Sequence, residues 1–391
     1  MINFEFQNTT KVYFGKNAEK GIGEKIKQYG DRVLLHYGGG SIKKNGIYDK
    51  IMRELIQNDI KVWELGGVKP NPRLSLIQEG ISICRKNKIS FILAVGGGSA
   101  IDSAKGIAVG VPYEGDVWDF YEGSRMPEKK LALGVVLTLP ATGSESSYSS
   151  VVTKEEGMLK RPLDNDVLYP DFAILNPEFT YSLPDYQTCC GIADISAHLM
   201  ERYFTKVRHV GLTDRLIEGA LKNLIENARK VLDYPTDYDI RSEIMWTGAV
   251  AHNNLLNTGR IGGWASHMIE HELSAVNDVA HGAGLAVILP AWMKYVYRKD
   301  VDLFAQYAVR VWNVEENYFD REETARKGIA CLEEFYQSLH LPVRLHEIGI
   351  GEDKFEMIAK KCRKFDVEKG TVGNFIPLSE KDIVNILELA K

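Results

Sequence analysis

The chain has 391 residues, with 48 Lys and Arg against 53 Asp and Glu, for a formal net charge of −5 at pH 7. Hydrophobic residues make up 45% and charged residues 26%, a balance that suits a folded globular protein and argues against disorder. The mild acidity supplies no overall pull toward nucleic acid, and no apolar run reaches the roughly 18 residues a membrane span needs. The opening MINFEFQNTTKVYFGK lacks the basic and apolar regions of a signal peptide. The five cysteines, at 84, 189, 190, 331 and 362, follow neither zinc-finger nor disulfide-scaffold spacing. A reducing cytoplasm is therefore the expected location.

The first half of the chain alternates short apolar runs with amphipathic segments. Strands are expected at Arg32–Tyr37, Lys61–Leu65, Ile89–Val95 and Leu131–Leu139, and helices at Tyr48–Asn58, Leu74–Asn87 and Ala100–Val109. This repeated order predicts an α/β domain over residues 1–180, with a mostly parallel, Rossmann-like sheet covered by helices. After Pro184 the texture changes to long periodic stretches, and an all-helical domain is expected over 181–391. Tyr186–Phe204, Gly211–Leu232, Ile240–Asn257, Gly262–Ser274 and Leu285–Tyr297 suit helices, as do Val301–Val311, Arg321–Leu339 and Glu380–Leu389.

Three loops fall at expected strand ends, where a parallel sheet binds ligands. Gly38-Gly39-Gly40-Ser41 follows the first strand and Gly96-Gly97-Gly98-Ser99 the third. Their missing Cβ atoms let backbone N–H groups approach an anion, and a helix start adds partial positive charge. Asp102, in the first helical turn, is placed to cap that turn or to accept from a ribose or amide. The third loop, Thr138 to Glu145, offers the hydroxyls of Thr138, Thr142 and Ser144. Gly21-Ile22-Gly23 mimics the dinucleotide fingerprint, but Ile26 replaces its last glycine. The Walker lysine pattern is absent as well, which argues against an ATPase.

The helical half carries a second chemistry. Asp194 and His198 are four residues apart on one expected helix, and His267 and His271 repeat that spacing. His281 follows ten residues later, near a new helix start. One carboxylate and several imidazoles suit a borderline divalent ion such as Fe(II) or Zn(II). Asp194, His198, His267 and His281 are the expected ligands, with His271 left for proton transfer or substrate orientation. Spacing alone does not decide between 267 and 271. Glu270 and Glu272 are expected on other faces from His267, in solvated or structural roles.

The combination YGGGSIKKNG (37–46), GGVKPNP (66–72), LAVGGGSAIDSAK (93–105), LTLPATGSES (137–146), the Asp194/His198 pair and HMIEHELSAVNDVAHGAGLAVILPAW (267–292) resembles the iron-containing, group III alcohol dehydrogenases over nearly the whole chain. More narrowly it resembles the NADPH-dependent butanol dehydrogenases and broad aldehyde reductases of that family. The resemblance implies a nucleotide domain followed by a helical metal domain, with catalysis in the cleft between. It implies metal ligands Asp194, His198, His267 and His281, with His271 near the substrate. It puts cofactor contacts at Gly39, Gly40, Ser41, Asn71, Gly97, Gly98, Ser99, Asp102, Thr138, Thr142 and Lys160. A homodimer through N-terminal strands is implied too.

The expected activity is reversible interconversion of small primary alcohols and aldehydes. NADP(H) is the preferred cofactor, because Gly39-Gly40-Ser41 carries no acid to repel a 2′-phosphate and Lys43 and Lys44 stand nearby. The nearest alternative is a polyol or diol dehydrogenase of the same family. A dehydroquinate-synthase-like lyase ranks below it, since a carboxylate and phosphate substrate needs several cations and the 259–292 segment offers mainly Arg260.

Overall fold

The computed structural model describes residues 1–362, 364 and 368–391. The apolar runs of the first half form the centre of a sheet whose strands are β1 (Lys11–Phe14), β2 (Arg32–Tyr37), β3 (Lys61–Leu65), β4 (Phe91–Gly97), β5 (Ala132–Leu139) and, after a hairpin of β6 (Ser149–Lys154) and β7 (Leu159–Asp164), β8 (Phe172–Leu175). The order is β1-β8-β5-β4-β2-β3, and every pairing in this sheet is parallel. β4 is central and buried along nearly its whole length, which is why its sequence is a continuous apolar run with no alternation.

The structure adds β1 and β8 to the expected strands. Each is four residues long, too short for a periodic signal, and each exists because a neighbouring strand supplies its hydrogen bonds. β4 also runs two residues further than expected, through Gly96 and Gly97, where its register with β5 shifts. The following helix starts at once, as Gly98–Gly110.

The chain divides into two units. The α/β unit comprises residues 7–184 and 235–253, and the helical unit residues 1–6, 185–234 and 254–391. A single boundary at 180/181 does not describe this division, because the Tyr238–His252 helix belongs with the sheet. Its Met245 and Ala249 enter the core built around β4 and β5, and its Trp246 ring meets Phe14 at 5.8 Å. Helical periodicity records an apolar face but not which core that face joins.

In the helical unit, the His281–Val296 helix is buried almost throughout. It packs against the Asp185–Tyr203, Ala265–Asn277, Arg321–Ser338 and Glu380–Leu389 helices. An aromatic cluster of Phe204, Trp292, Phe304 and Phe375 fills the space beside it, with Phe204 and Phe304 stacked at 4.4 Å. No helix among the described residues is long and apolar enough to cross a membrane.

Candidate functional site

The carboxyl ends of β5, β4 and β2 are neighbours in the sheet, so the three loops lie along one edge of the α/β unit. Gly40 leaves β2 with φ +99° and leads into the short helix Ser41–Lys44. Asn71 is buried with φ +55°. The second and third loops touch: a Cβ on Gly98 would sit 2.4 Å from Thr142 Oγ1. Thr142 Oγ1 in turn accepts from the Ser144 N–H at 3.2 Å. Gly97, Gly98, Ser99, Thr138 and Thr142 are thus brought together, and Lys160 is buried on β7 opposite Thr153.

Asp102 does not cap its own helix. Its two carboxylate oxygens accept from Ser144 Oγ at 2.6 Å and from the Val151 N–H at 3.0 Å. Lys105, one turn later, donates to the carbonyls of Ser147 and Ser149 at 2.8 and 2.7 Å. Burial raises the Asp102 carboxyl above its usual range, and burial pushes Lys105 down to about 8. The pair fastens the 144–151 segment to the helix that starts at Gly98.

Lys43 stands differently from the expectation that set it beside a 2′-phosphate. Its ammonium lies 2.9 Å from Glu64, at the end of β3. The same carboxylate accepts from Tyr37 at 2.7 Å and Tyr48 at 2.6 Å. Burial opposes ionisation of Glu64, but the Tyr48, Lys43 and Tyr37 donors outweigh it and hold the carboxyl down to about 2.

In the helical unit, Asp194 and His198 lie one turn apart on the Asp185–Tyr203 helix, with Asp194 Oδ1 3.2 Å from His198 Nδ1. His281, the first residue of its helix, places Nε2 3.7 Å from Asp194 Oδ1, and His267 Nε2 lies 4.0 Å from the same oxygen. Gly282 permits this approach, since a Cβ there would fall 1.9 Å from the Cys190 carbonyl oxygen of the facing helix. The donor atoms of Asp194, His267 and His281 lie within 4.8 Å of one another. His198 and His271 both fall outside that group; His198 adjoins it through Asp194, and His271 belongs to a second, overlapping one with Glu270 and His281.

Asp194 Oδ1 and His267 Nε2 are buried with no hydrogen bond, a costly arrangement that a cation removes. Burial opposes ionisation of Asp194, but His198, His281 and His267 outweigh it and hold the carboxyl well below the usual range. Burial takes His198 down to about 4, partly offset by Asp194, so its imidazole is neutral at pH 7 and has a lone pair to offer. The residues present fit a divalent ion.

Two carboxylates stand behind these imidazoles, and only one of them, Glu270, is singled out by the sequence. Glu201, fully buried, places Oε1 3.2 Å from His267 Nδ1. Glu270 is fully buried and bonded to His281 Nδ1, which removes the solvated role expected for it and leaves a structural one. Residues three apart are neighbours on a helix, so His267-x-x-Glu270 was legible as one face. So was the run Asp194, His198, Glu201.

Comparison with known proteins divides the chain once, near residue 180. Residues 9–177 match the family description "Iron-containing alcohol dehydrogenase", and residues 188–391 match "Fe-containing alcohol dehydrogenase family, C-terminal". The chain is 41% identical to NADH-dependent butanol dehydrogenase A of Clostridium acetobutylicum, over 99% of both chains. It is 37% identical to the NADPH-dependent aldehyde reductase YqhD of Escherichia coli, over 93% of this chain and 94% of that protein. The crystal structure of NADH-dependent butanol dehydrogenase A from Thermotoga maritima superposes with a TM-score of 0.95 at 38% identity, covering 99% of this chain and 98% of that one. Two family matches that together span both halves, and relatives this similar along their full length, leave one conclusion: the chain belongs to the iron-containing alcohol dehydrogenase family.

Proposed function

We propose that the protein interconverts small primary alcohols and aldehydes, butanol and butanal among them, using a nicotinamide cofactor and one divalent metal. The observation that carries this reading is the Asp194 group, in which a carboxylate oxygen of Asp194 and Nε2 of His267, both buried without a hydrogen bond, meet the His281 imidazole. Asp194, His198, His267 and His281 would hold the ion, Fe(II) or Zn(II), both of which suit these donors. When bound, the metal supplies Lewis acidity toward a carbonyl oxygen and the reduced nicotinamide supplies hydride.

The protein's own residues do the rest. Asp194 would give the ion one negative charge directly and the imidazoles none, with Glu201 and Glu270 one imidazole further out, and the ion would draw a carbonyl or alkoxide oxygen. His271, with its ring 5.6 Å from that of His281 and outside the Asp194 group, is the residue we assign to return a proton to the product oxygen or to orient substrate. The Gly39–Ser41, Gly97–Ser99 and Thr138–Thr142 loops, with Asn71 and Lys160, hold the dinucleotide, and Asp102 keeps the third loop seated against the second.

Both cofactors fit this reading. Gly39 and Gly40 set no carboxylate against a 2′-phosphate, which admits NADPH. The ammonium of Lys43 is engaged by Glu64, so the extra phosphate gains no dedicated cation there and the preference for NADPH over NADH is small. A homodimer belongs to the same proposal, since Ile2, Phe4 and Phe6 expose apolar side chains along the N-terminal segment. The five cysteines form no disulfide with one another, and a reducing compartment belongs to the same proposal.

Steady-state rates from acetaldehyde to hexanal and for short diols, with NADPH and NADH and with measured metal content, test the reading. Light scattering tests the dimer. Faster turnover of diols than of the matching primary alcohols, or full turnover after metal removal, would overturn it.

A further inference from the structure

We infer that Glu270 is the positioning residue of the metal site, holding the His281 imidazole with its proton on Nδ1 so that the Nε2 lone pair faces Asp194. The inference rests on the metal reading proposed above and concerns a residue outside its ligand set.

Glu270 is fully buried, an environment in which a carboxylate is costly unless partnered. Two different side chains partner it here. One oxygen bonds His281 Nδ1, and the other accepts from Ser274 Oγ one turn along the same helix. An imidazole that donates from Nδ1 to a carboxylate carries its lone pair on Nε2, and His281 Nε2 is the atom 3.7 Å from Asp194 Oδ1. Without that acceptor the proton is free to move to Nε2, where it would point an N–H at the cation.

The fold makes room for this carboxylate. A Cβ on Gly284 would lie 2.7 Å from Glu270 Oε1 and 2.8 Å from its Cγ. Gly284 stands one turn after His281 on the same helix, so a single turn supplies both the ligand and the slot for the group that orients it. Glu201 bears on His267 in a similar way, but it also holds the backbone N–H groups of Trp264 and His267. Its loss would disturb the start of that helix, and Glu270 offers the cleaner test.

The metal-free protein is titrated with Zn²⁺ against a chelating indicator and with Co²⁺ by visible absorption. Glu270→Ala should weaken ion binding by about 10- to 100-fold and shift the Co²⁺ bands. Glu270→Gln keeps an acceptor and should stay within about threefold of the unsubstituted protein. Gly284→Ala leaves every polar group in place and displaces Glu270, so it should weaken binding in the direction of Glu270→Ala. Equal melting temperatures of the metal-free forms would show that the loss lies at the ion, and if Glu270→Ala does not fold, Gly284→Ala decides. Unchanged affinity in both alanine variants, with His281→Ala impaired, would overturn the inference and leave the metal site standing. Failure of the unsubstituted protein to bind either ion would overturn both.

Discussion

Two buried histidines show how the same side chain serves opposite ends in this molecule. His36, on β2, is fully buried, with Nδ1 2.8 Å from the Leu65 carbonyl oxygen and Nε2 2.8 Å from Ser103 Oγ. Both ring nitrogens are satisfied by the fold. His267 is 4% exposed, with Nδ1 beside Glu201 and Nε2 making no hydrogen bond near a carboxylate oxygen that also lacks one. Burial does not separate a structural imidazole from a proposed ligand, because both are buried. The satisfaction of the second nitrogen does, since leaving such a group unpaired costs about 1–3 kcal/mol.

The comparison can be broken most decisively at the metal. His267→Ala, or removal of the ion by chelation, should lower aldehyde reduction by about a thousandfold or more, the effect of losing several kcal/mol of charge stabilisation. Metal content should fall with it. His36→Gln should leave metal content at the wild-type level. Equal metal loss in the two variants, measured by elemental analysis, would erase the distinction.

The next largest effect is on stability against pH. Burial pushes His36 down to about 4, only partly opposed by its bond to the Leu65 carbonyl. The unfolded chain takes up a proton near pH 6.5 and the folded one does not until near 4. The contribution is therefore full above about 6.5 and is lost as pH falls toward 4, on the order of 3 kcal/mol in all. Denaturant unfolding at several pH values should show a shallower acid slope in His36→Gln. An identical slope would mean that this imidazole is protonated in the fold.

Smaller effects fall on the dinucleotide loops. Gly98→Ala drives a methyl group into Thr142, and strain of this kind costs about 1–3 kcal/mol. Nicotinamide cofactor affinity should drop by about tenfold or more with metal content unchanged, as read by fluorescence titration. Smallest is Gly39→Asp, which has open space around its Cβ and no left-handed backbone to strain. It should lower the ratio of NADPH to NADH affinity by about fivefold, the scale of a partly screened charge contact. An unmoved ratio would remove the 2′-phosphate from this loop.

Much of the fold was legible along the chain, because β-α alternation and long helical periods are local signals. The Leu74–Asn87 and Glu380–Leu389 helices lie where the apolar periodicity puts them. The short strands β1 and β8 were not legible, nor was the return of residues 235–253 to the sheet, since both depend on partners distant in sequence. At the site, the spacing of Asp194, His198, His267 and His281 was readable. The separate surroundings of His267 and His271 were not, because two histidines four apart on a helix are equivalent until other elements pack against them.

The linear order of residues determined the chemistry at hand: a glycine-rich edge suited to a dinucleotide and a stock of imidazole and carboxylate suited to a divalent ion. Tertiary structure decided which groups meet. It turned Asp102 toward the chain's own donors, tied Lys43 to Glu64, and set Glu201 and Glu270 behind two imidazoles. The reason is that residue type and spacing state what a side chain can do, whereas hydrogen bonding and burial depend on atoms brought from far along the chain.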